Sequence, residues 1–229
     1  MKLSGLQKTT LLDFPGHVAC TVFTAGCNLR CPFCHNASLV RGDEGETVDT
    51  EEFFRFLEKR KGILDGVCVT GGEPTLHPGL PAFLSRIKAL GLAVKLDTNG
   101  TRPDRLRAMA RDGLLDYVAM DIKNAPGAYA KTVGIPGYDE IPVWQSADFL
   151  LAGEVPYEFR TTVVAELHTK EQIGRLAERI AGARAYFLQM FKDSGDLLAG
   201  GLHEVSEEVL QGMLEAARPA VPSVCVRGR

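Results

Sequence analysis

Residues 18–36, VACTVFTAGCNLRCPFCHN, join an apolar run directly to a loop that contains three cysteines. The first half, at 18–26, has the short and nearly continuous apolar pattern of a buried strand. The cysteines follow as Cys27, Cys31 and Cys34, with the spacing C-x3-C-x2-C. The stretch therefore predicts a buried strand that ends in a metal-binding or redox-active loop.

Outward from this stretch, short apolar runs alternate with amphipathic helical patterns along the chain. Further strands are predicted at 67–72, 93–100, 117–123, 157–165 and 185–191, with a short terminal strand at 223–228. Helices are predicted within 47–62, 80–91, 103–113, 143–153 and 169–182, and from the cap Ser206 to near Ala217. Residues 124–141 are rich in Gly and Pro, which favours a loop.

This alternation limits the architecture. Apolar strands that alternate with helices indicate an α/β fold with a parallel sheet covered by helices. Six units are too few for a complete eight-stranded barrel, so the pattern alone leaves a doubly wound sheet or a partial barrel. Since no linker or shift in composition interrupts residues 1–229, we expect a single domain.

Polar motifs follow the predicted strands at the points where they end. TGGEP, DTNG and DIK begin at Thr70, Asp97 and Asp121, and the cysteine loop follows its own strand in the same way. In parallel α/β proteins the carboxyl ends of the strands form the edge where ligands bind. The repeated placement therefore predicts one binding site at this edge.

Charge and hydropathy exclude several classes of protein. The formal net charge is −3 and no block of like charges occurs, which argues against nucleic acid as a partner. The N-terminal sequence has no signal-peptide pattern, and no apolar run reaches the roughly 18 residues that span a membrane. We therefore expect a cytoplasmic protein. The scattered Cys20, Cys68 and Cys225 do not resemble a secreted disulfide framework.

Three interpretations of the cysteine loop remain open on spacing alone. Structural zinc usually joins two separate short pairs of ligands, whereas this chain has a single group of three, followed by His35. A redox pair at Cys31 and Cys34 leaves Cys27 without a role. An iron–sulfur cluster normally takes four cysteines, so three leave one iron free for a small-molecule ligand.

The cysteine loop, with Phe33 before its last cysteine, resembles that of the radical S-adenosylmethionine (SAM) superfamily. Longer stretches resemble the activating enzymes of glycyl radical enzymes, above all those of anaerobic ribonucleoside-triphosphate reductase. These stretches are LLDFPGHVACTVFTAGCNLRCPFCHN, VTGGEPTL, VKLDTNG, VAMDIK and FRTTVV. The resemblance implies a partial (βα)6 parallel barrel. It also implies a 4Fe-4S cluster on Cys27, Cys31 and Cys34, with SAM bound at the open iron.

The same resemblance implies roles for residues at the first strand ends. Phe33, Gly71, Gly72 and Glu73 are expected to contact the cofactors, with Glu73 holding the ammonium group of SAM. The two glycines lack Cβ atoms, so the backbone there is able to approach a ligand closely. Taken alone, GGEP is also a plain strand-to-helix turn.

Further implied roles lie at the other strand ends and before the first strand. Asp97 and Asn99 are expected near the ribose or carboxylate of SAM, with a monovalent cation close by. Lys123 is expected to neutralise that carboxylate, and His168 to contact the ligand, although a solvated lysine and a local histidine fit the sequence as well. Asp13 is expected to touch the glycine loop of the substrate protein, unless it is only a turn residue.

The implied activity is the reductive cleavage of SAM to a 5′-deoxyadenosyl radical, which removes a Cα hydrogen from one glycine of a partner enzyme. The expected partners are anaerobic ribonucleotide reductase and a flavodoxin- or ferredoxin-like electron donor. Alternatives are an activase of the pyruvate formate-lyase type, or a small-molecule radical enzyme such as a deazapurine synthase. A small-molecule site would require several further polar groups, and the sequence offers few.

Overall fold

The computed structural model describes residues 1–41 and 47–227, and its centre is one eight-stranded sheet. The strands are β1 Leu3–Thr10, β2 Ala19–Thr24, β3 Gly66–Gly71, β4 Ala93–Thr98, β5 Tyr117–Asp121, β6 Tyr157–Val163, β7 Tyr186–Met190 and β8 Val224–Arg227. They lie side by side in chain order. Strand β1 is antiparallel to β2, and every later pair is parallel. The predicted parallel α/β architecture is confirmed.

Helices connect the parallel strands. They are α1 Ala37–Arg41, α2 Thr50–Lys59, α3 Leu80–Ala89, α4 Pro103–Arg111, α5 Tyr129–Val133, α6 Ile141–Leu151, α7 Lys170–Arg179 and α8 Glu207–Ala217, with a 3-10 helix at Pro74–Leu76. Several begin at the caps that the sequence predicts: the Asp49 carboxylate accepts from the Glu52 amide, and the Ser206 hydroxyl from the Val209 amide. No helix in the described parts of the chain is long and apolar enough to cross a membrane.

The hydrophobic core explains why these segments become strands and helices. The central strands are buried on both faces, since the adjacent Val67 and Cys68 of β3 point to opposite faces and neither has exposed surface. Helix α2 presents Phe53 to the core, where its ring stacks on that of Phe83 with centroids 5.5 Å apart. Burial of such apolar faces, at roughly 25 cal/mol per Å², holds the helices on the sheet.

Two elements differ from the sequence-based prediction. Strand β1 is not predicted by the sequence, and its residues are mostly half-buried or exposed. The segment 124–141, predicted mainly as a loop, contains helix α5 and the first residue of α6. The predicted terminal strand at 223–228 appears as β8, although Gly228 lies outside the described residues.

The last strand is fastened to the sheet by a buried ion pair. The Arg227 guanidinium donates to both oxygens of the Glu158 carboxylate, with 2.7 Å between Nη2 and Oε2. Glu158 has no exposed surface, and its remaining partners are the Tyr117 hydroxyl at 3.0 Å and Arg160 at 4.0 Å. Removing Arg227 would therefore leave a buried charge poorly compensated.

We expect Arg227→Leu to lower the free energy of unfolding by about 3 kcal/mol, because the variant leaves the buried Glu158 carboxylate without its main cationic partner. Chemical denaturation under reducing conditions measures this change. The control is Arg107→Leu, which removes a mostly exposed pair with Asp104 and should cost less than about 1 kcal/mol. Equal losses of unfolding free energy in both variants would show that the Arg227–Glu158 pair stabilises the fold no more than an exposed ion pair does.

Candidate active site at the carboxyl edge of the sheet

The cysteine loop leaves the end of β2 and is fixed by backbone hydrogen bonds to distant parts of the chain. The Glu73 amide donates to the Gly26 carbonyl at 2.8 Å, and the Arg30 amide donates to the Val133 carbonyl at 2.9 Å. The first bond joins the loop to the end of β3, and the second joins it to α5. The loop is thereby held on two sides before any cofactor is considered.

A third side is covered by residues 192–203, here named the outer segment, which follow β7. The Ala199 amide donates to the Pro32 carbonyl at 3.1 Å, inside the cysteine loop. The Asp196 carboxylate accepts from the Ser38 amide at 2.9 Å, at the start of α1. The outer segment therefore packs directly against the cysteine loop and the helix that follows it.

The three loop cysteines have the chemistry of a cluster site. Burial raises the pKa of Cys31 to about 12 and also raises that of Cys27, so both are thiols until a metal binds. Within residues 1–41 and 47–227, no three His, Cys, Asp or Glu side chains are grouped to hold a single metal ion. A cubane cluster does not need its ligands grouped around one ion, because each thiolate binds a different iron atom of the cluster.

A cavity of about 200 Å³ separates the cysteines from the ends of the neighbouring strands. It is lined by Cys27, Leu29, Cys31, Phe33, Cys34, His35, Asn36, Val40, Thr70, Gly71, Gly72, Asp97, Thr98, Asn99, Asp121, Lys123, Arg160, Thr162 and Gln189. The lining includes the three cysteines and the predicted Phe33, Asp97, Asn99 and Lys123. The structure thus brings most of the predicted site residues together at the expected edge.

Charged side chains form a connected row along one wall of the cavity. Asp97 accepts from Lys95 and from Arg160, whose Nη1 lies 3.1 Å from Oδ2. Asp121 accepts from Arg160 Nε at 2.8 Å and from Lys123 Nζ at 3.1 Å. The groups that line the cavity, two cations and two carboxylates, balance in charge, and the buried Lys95 behind Asp97 adds one positive charge to the row.

The ion pairs decide the protonation states of this row. Burial acts to raise the pKa of Asp97 and of Asp121, but the neighbouring cations outweigh it and hold both pKa values below the usual range. Burial likewise acts to lower the pKa of Lys123, and the charge of Asp121 outweighs it and raises that pKa. All three groups are therefore ionised at neutral pH.

The expected contact between Glu73 and a ligand requires correction. Its carboxylate has no exposed surface and does not line the cavity. It accepts from the Asn99 amide at 2.6 Å, from the Thr98 hydroxyl at 2.8 Å, and from the amide and hydroxyl of Thr75. Glu73 therefore ties the end of β3 to the end of β4 and holds the turn, rather than facing a ligand.

The close approach at Gly72 is also made by protein rather than by a ligand. A Cβ built on Gly72 would lie 1.9 Å from the Gly26 carbonyl oxygen, and one on Gly71 would lie 2.3 Å from the Thr24 nitrogen. Both glycines line the cavity with their backbone, so the predicted ligand contact stays a prediction. Their missing side chains, however, make room for the strand that carries the cysteine loop.

His168 is buried and its ring does not reach the cavity. The Val164 amide donates to Nδ1 at 3.0 Å, so the proton lies on Nε2, which donates to the Lys123 carbonyl at 2.8 Å. Both nitrogens are thus used, and the expected ligand contact is replaced by a bridge between the ends of β5 and β6. The ring also meets that of Phe33 edge-on, with centroids 6.3 Å apart.

Two other predicted residues occupy distinct positions. Asn99 lies on the cavity wall, with its Nδ2 3.9 Å from the Cys27 sulfur and 3.0 Å from Asn28 Oδ1. Asp13 lies outside the cavity and accepts a hydrogen bond from the hydroxyl of Thr21, halfway along β2. Asp13 therefore lies beside β2 and outside the cavity lining, and its predicted contact with a substrate protein stays a prediction.

Arg160 is the principal site residue that the sequence interpretation missed. It lies within the predicted strand at 157–165, where the polar strand-end rule does not point. The available signal was the alternation of Glu158, Arg160 and Thr162 on one face of an otherwise apolar strand. Charged residues at every second position of a buried strand indicate a polar interior.

The model of the radical SAM superfamily matches residues 21–180. A Methanocaldococcus jannaschii protein, whose name provisionally assigns it as a glycyl-radical enzyme activating enzyme, is 30% identical over 98% of this chain and 95% of its own. The 7-carboxy-7-deazaguanine synthase of Hyperthermus butylicus is 32% identical over 80% of this chain and 74% of its own. The pyruvate formate-lyase-activating enzyme of Clostridium pasteurianum is 30% identical over 80% and 77%.

Among solved structures, Streptococcus suis SuiB bound to S-adenosylmethionine is similar with a TM-score of 0.70 and 14% identity. The similarity covers 90% of this chain and 49% of that one, and it confirms the partial barrel type of the fold. The chain belongs to the radical SAM superfamily.

The residues present fit the two groups that this superfamily implies. Three thiols, with no fourth ligand grouped with them among residues 1–41 and 47–227, match a cluster with one open iron. The row of charges beside them has one positive charge in excess once the buried Lys95 is counted, which suits the carboxylate of SAM. A monovalent cation fits less well, because the oxygens of Asp97 and Asp121 are already bound by side-chain cations of the chain itself.

Proposed function

We propose that this protein activates a glycyl radical enzyme by removing a Cα hydrogen atom from one of its glycines. When bound, the cluster and SAM supply a one-electron cleavage of the sulfonium and a carbon radical that takes the hydrogen atom. The proposed partner is anaerobic ribonucleoside-triphosphate reductase, and a flavodoxin- or ferredoxin-like protein is the proposed electron donor.

The pairing of the charged side chains in the cavity is the observation that carries this proposal. A pocket for a small-molecule substrate needs several polar groups to orient that substrate, beyond those that bind SAM. The four charged side chains that line this cavity already bind one another, so few polar groups are left for a second small molecule. A substrate that arrives at the rim as part of another protein requires no such set of groups.

In this activity, the residues of the chain itself would position the bound groups and shield them from water. Phe33 covers the cavity beside the cysteines, and His168 fixes the backbone of Lys123 from behind. The charged row beneath them is held in one arrangement by its mutual ion pairs, so it need not reorganise when charge changes nearby. Asp13 is the proposed contact for the backbone of the incoming glycine loop.

A second candidate function is a deazapurine synthase, since one of the similar proteins has that activity. Such an enzyme must enclose a nucleobase-like substrate next to SAM. The two functions therefore predict different activity without a partner protein, because only the synthase would convert a small-molecule substrate under that condition.

With SAM, a low-potential reductant and strict anoxia, we expect this protein to generate a glycyl radical on its cognate anaerobic ribonucleotide reductase. Electron paramagnetic resonance should show a doublet that collapses when the glycine of the partner is α-deuterated, because the splitting comes from the remaining α-hydrogen. Asp13→Ala should weaken the doublet about tenfold or more while leaving the cluster spectrum unchanged.

The matched control is Asp112→Ala, which changes an exposed carboxylate at the end of α4 and should leave the doublet intact. A missing doublet, together with rapid turnover of a nucleobase-like small molecule, would assign the protein to the second candidate function. A full doublet in Asp13→Ala would leave the activase function standing and remove Asp13 from it.

A further inference from the structure

Four carboxylate oxygens meet at the wall of the cavity, and each has a cation of the chain as its partner. In Asp97, Oδ1 accepts from Lys95 Nζ and Oδ2 from Arg160 Nη1. In Asp121, Oδ1 accepts from Arg160 Nε and Oδ2 from Lys123 Nζ. The guanidinium of Arg160 binds both carboxylates, whereas Lys95 and Lys123 bind one each.

We propose that Arg160 acts as a built-in counter-cation, so that SAM binding by this protein requires no sodium or potassium ion between Asp97 and Asp121. The proposal rests on the binding of SAM that the superfamily implies, and it does not depend on the identity of the protein substrate. It replaces the monovalent cation that the sequence resemblance predicts.

The chemistry of guanidinium supports this assignment. Its planar donors reach two carboxylates at once in fixed directions, whereas a spherical ion needs free oxygen lone pairs around it. A second cation placed between Asp97 and Asp121 would lie against the positive charge of Arg160, in a site with little water to screen the repulsion. Occupation by an ion would thus require the guanidinium to leave.

Arg160 is also held in place from below. Its side chain is only 12% exposed, and Nη1 lies 4.0 Å from the Glu158 carboxylate, which has no exposed surface. Glu158 is in turn held by the fork of Arg227. A guanidinium held by two carboxylates and close to a third would lose these contacts if it moved into the cavity, so we expect the bridge to persist when ligand binds.

The test is the affinity for SAM of the cluster-loaded protein alone, measured by anaerobic calorimetry. Titrations in potassium, sodium and choline chloride at one ionic strength should agree within about twofold, because only general screening acts. In Arg160→Gln the bridge is lost, and we expect affinity in choline to fall and potassium or sodium to restore it by about tenfold. Arg107→Gln, which changes a residue that does not line the cavity, should behave as the parent protein.

A structural readout accompanies the titrations. Crystals of the parent protein soaked in thallium(I) should show no anomalous peak between Asp97 and Asp121, whereas crystals of Arg160→Gln should show one. A thallium peak there in the parent protein would overturn the proposal. So would a tenfold gain in affinity of the parent protein on adding potassium, an outcome that stands even where the variant does not fold. An Arg160→Gln protein that folds and stays indifferent to cations would overturn it as well.

Discussion

Cys31→Ala is expected to purify without colour and without cleaving SAM. Each of the three cysteines binds one iron of the proposed cluster, and a loop with two thiols does not hold a cubane. Bound iron should fall from about four atoms per chain to near none, and the thiolate-to-iron absorption near about 400 nm should disappear. Iron analysis, absorption spectroscopy and the release of 5′-deoxyadenosine measure the three consequences.

Cys20→Ala is the matched control for this result. Cys20 is equally buried but lies within β2, where burial raises its thiol pKa to about 12 and no cluster is proposed. This variant should keep iron and SAM cleavage and lose about 1 kcal/mol of stability through the small cavity. Full iron and activity in Cys31→Ala would show that the cluster assignment is wrong.

Gly72→Ala is expected to lose most of its bound iron, although the new methyl group touches no cysteine. A Cβ at this position lies 1.9 Å from the Gly26 carbonyl oxygen, so the chain that carries Cys27 must move. The hydrogen bond from the Glu73 amide to the same carbonyl would be strained with it. We expect a loss of about 3 kcal/mol in stability, because backbone cannot rotate away as a side chain does.

Gly79→Ala provides the comparison at a glycine without such a neighbour. A Cβ there meets nothing within 4 Å, and the backbone has an ordinary φ of −79°. Iron content should be unchanged, and the loss of stability should stay below about 1 kcal/mol. If Gly72→Ala kept its iron and lost only affinity for SAM, the approach of a ligand, as the sequence suggests, would be the reason for this glycine.

The order of the strands and the edge that carries the site are predictable from the sequence, because the pattern of apolar residues along the chain reflects which segments are buried. Most of the runs that form β2 to β7 are short and largely apolar, and their polar ends mark the binding edge. Strand β1 has no such apolar pattern, since most residues of LSGLQKTT are half-buried or exposed and the strand lies at the edge of the sheet beside β2. Helix α5 is also not predictable from the sequence, because it has only five residues and lies in a segment rich in glycine and proline.

The directions of individual side chains do not follow from the sequence. Glu73 and His168 lie at the strand ends where ligand contacts are predicted, yet each side chain is turned into the protein. That choice depends on backbone partners contributed by other strands, which no local pattern reveals. Arg160 was overlooked for the converse reason, because a charge inside a strand has meaning only once its partners Asp97 and Asp121 are known.

The contacts of the cysteine loop fix when the loop is completed during synthesis. Its backbone partners lie at Gly72 to Glu73, at Val133 and, through the outer segment, at Ala199. The ribosome produces the chain from the N-terminus, so Cys34 emerges long before Ala199 does. The loop therefore acquires all of its partners only when most of the chain has been made, and the earlier intermediates carry three uncovered thiols that must be protected from oxidation in the meantime.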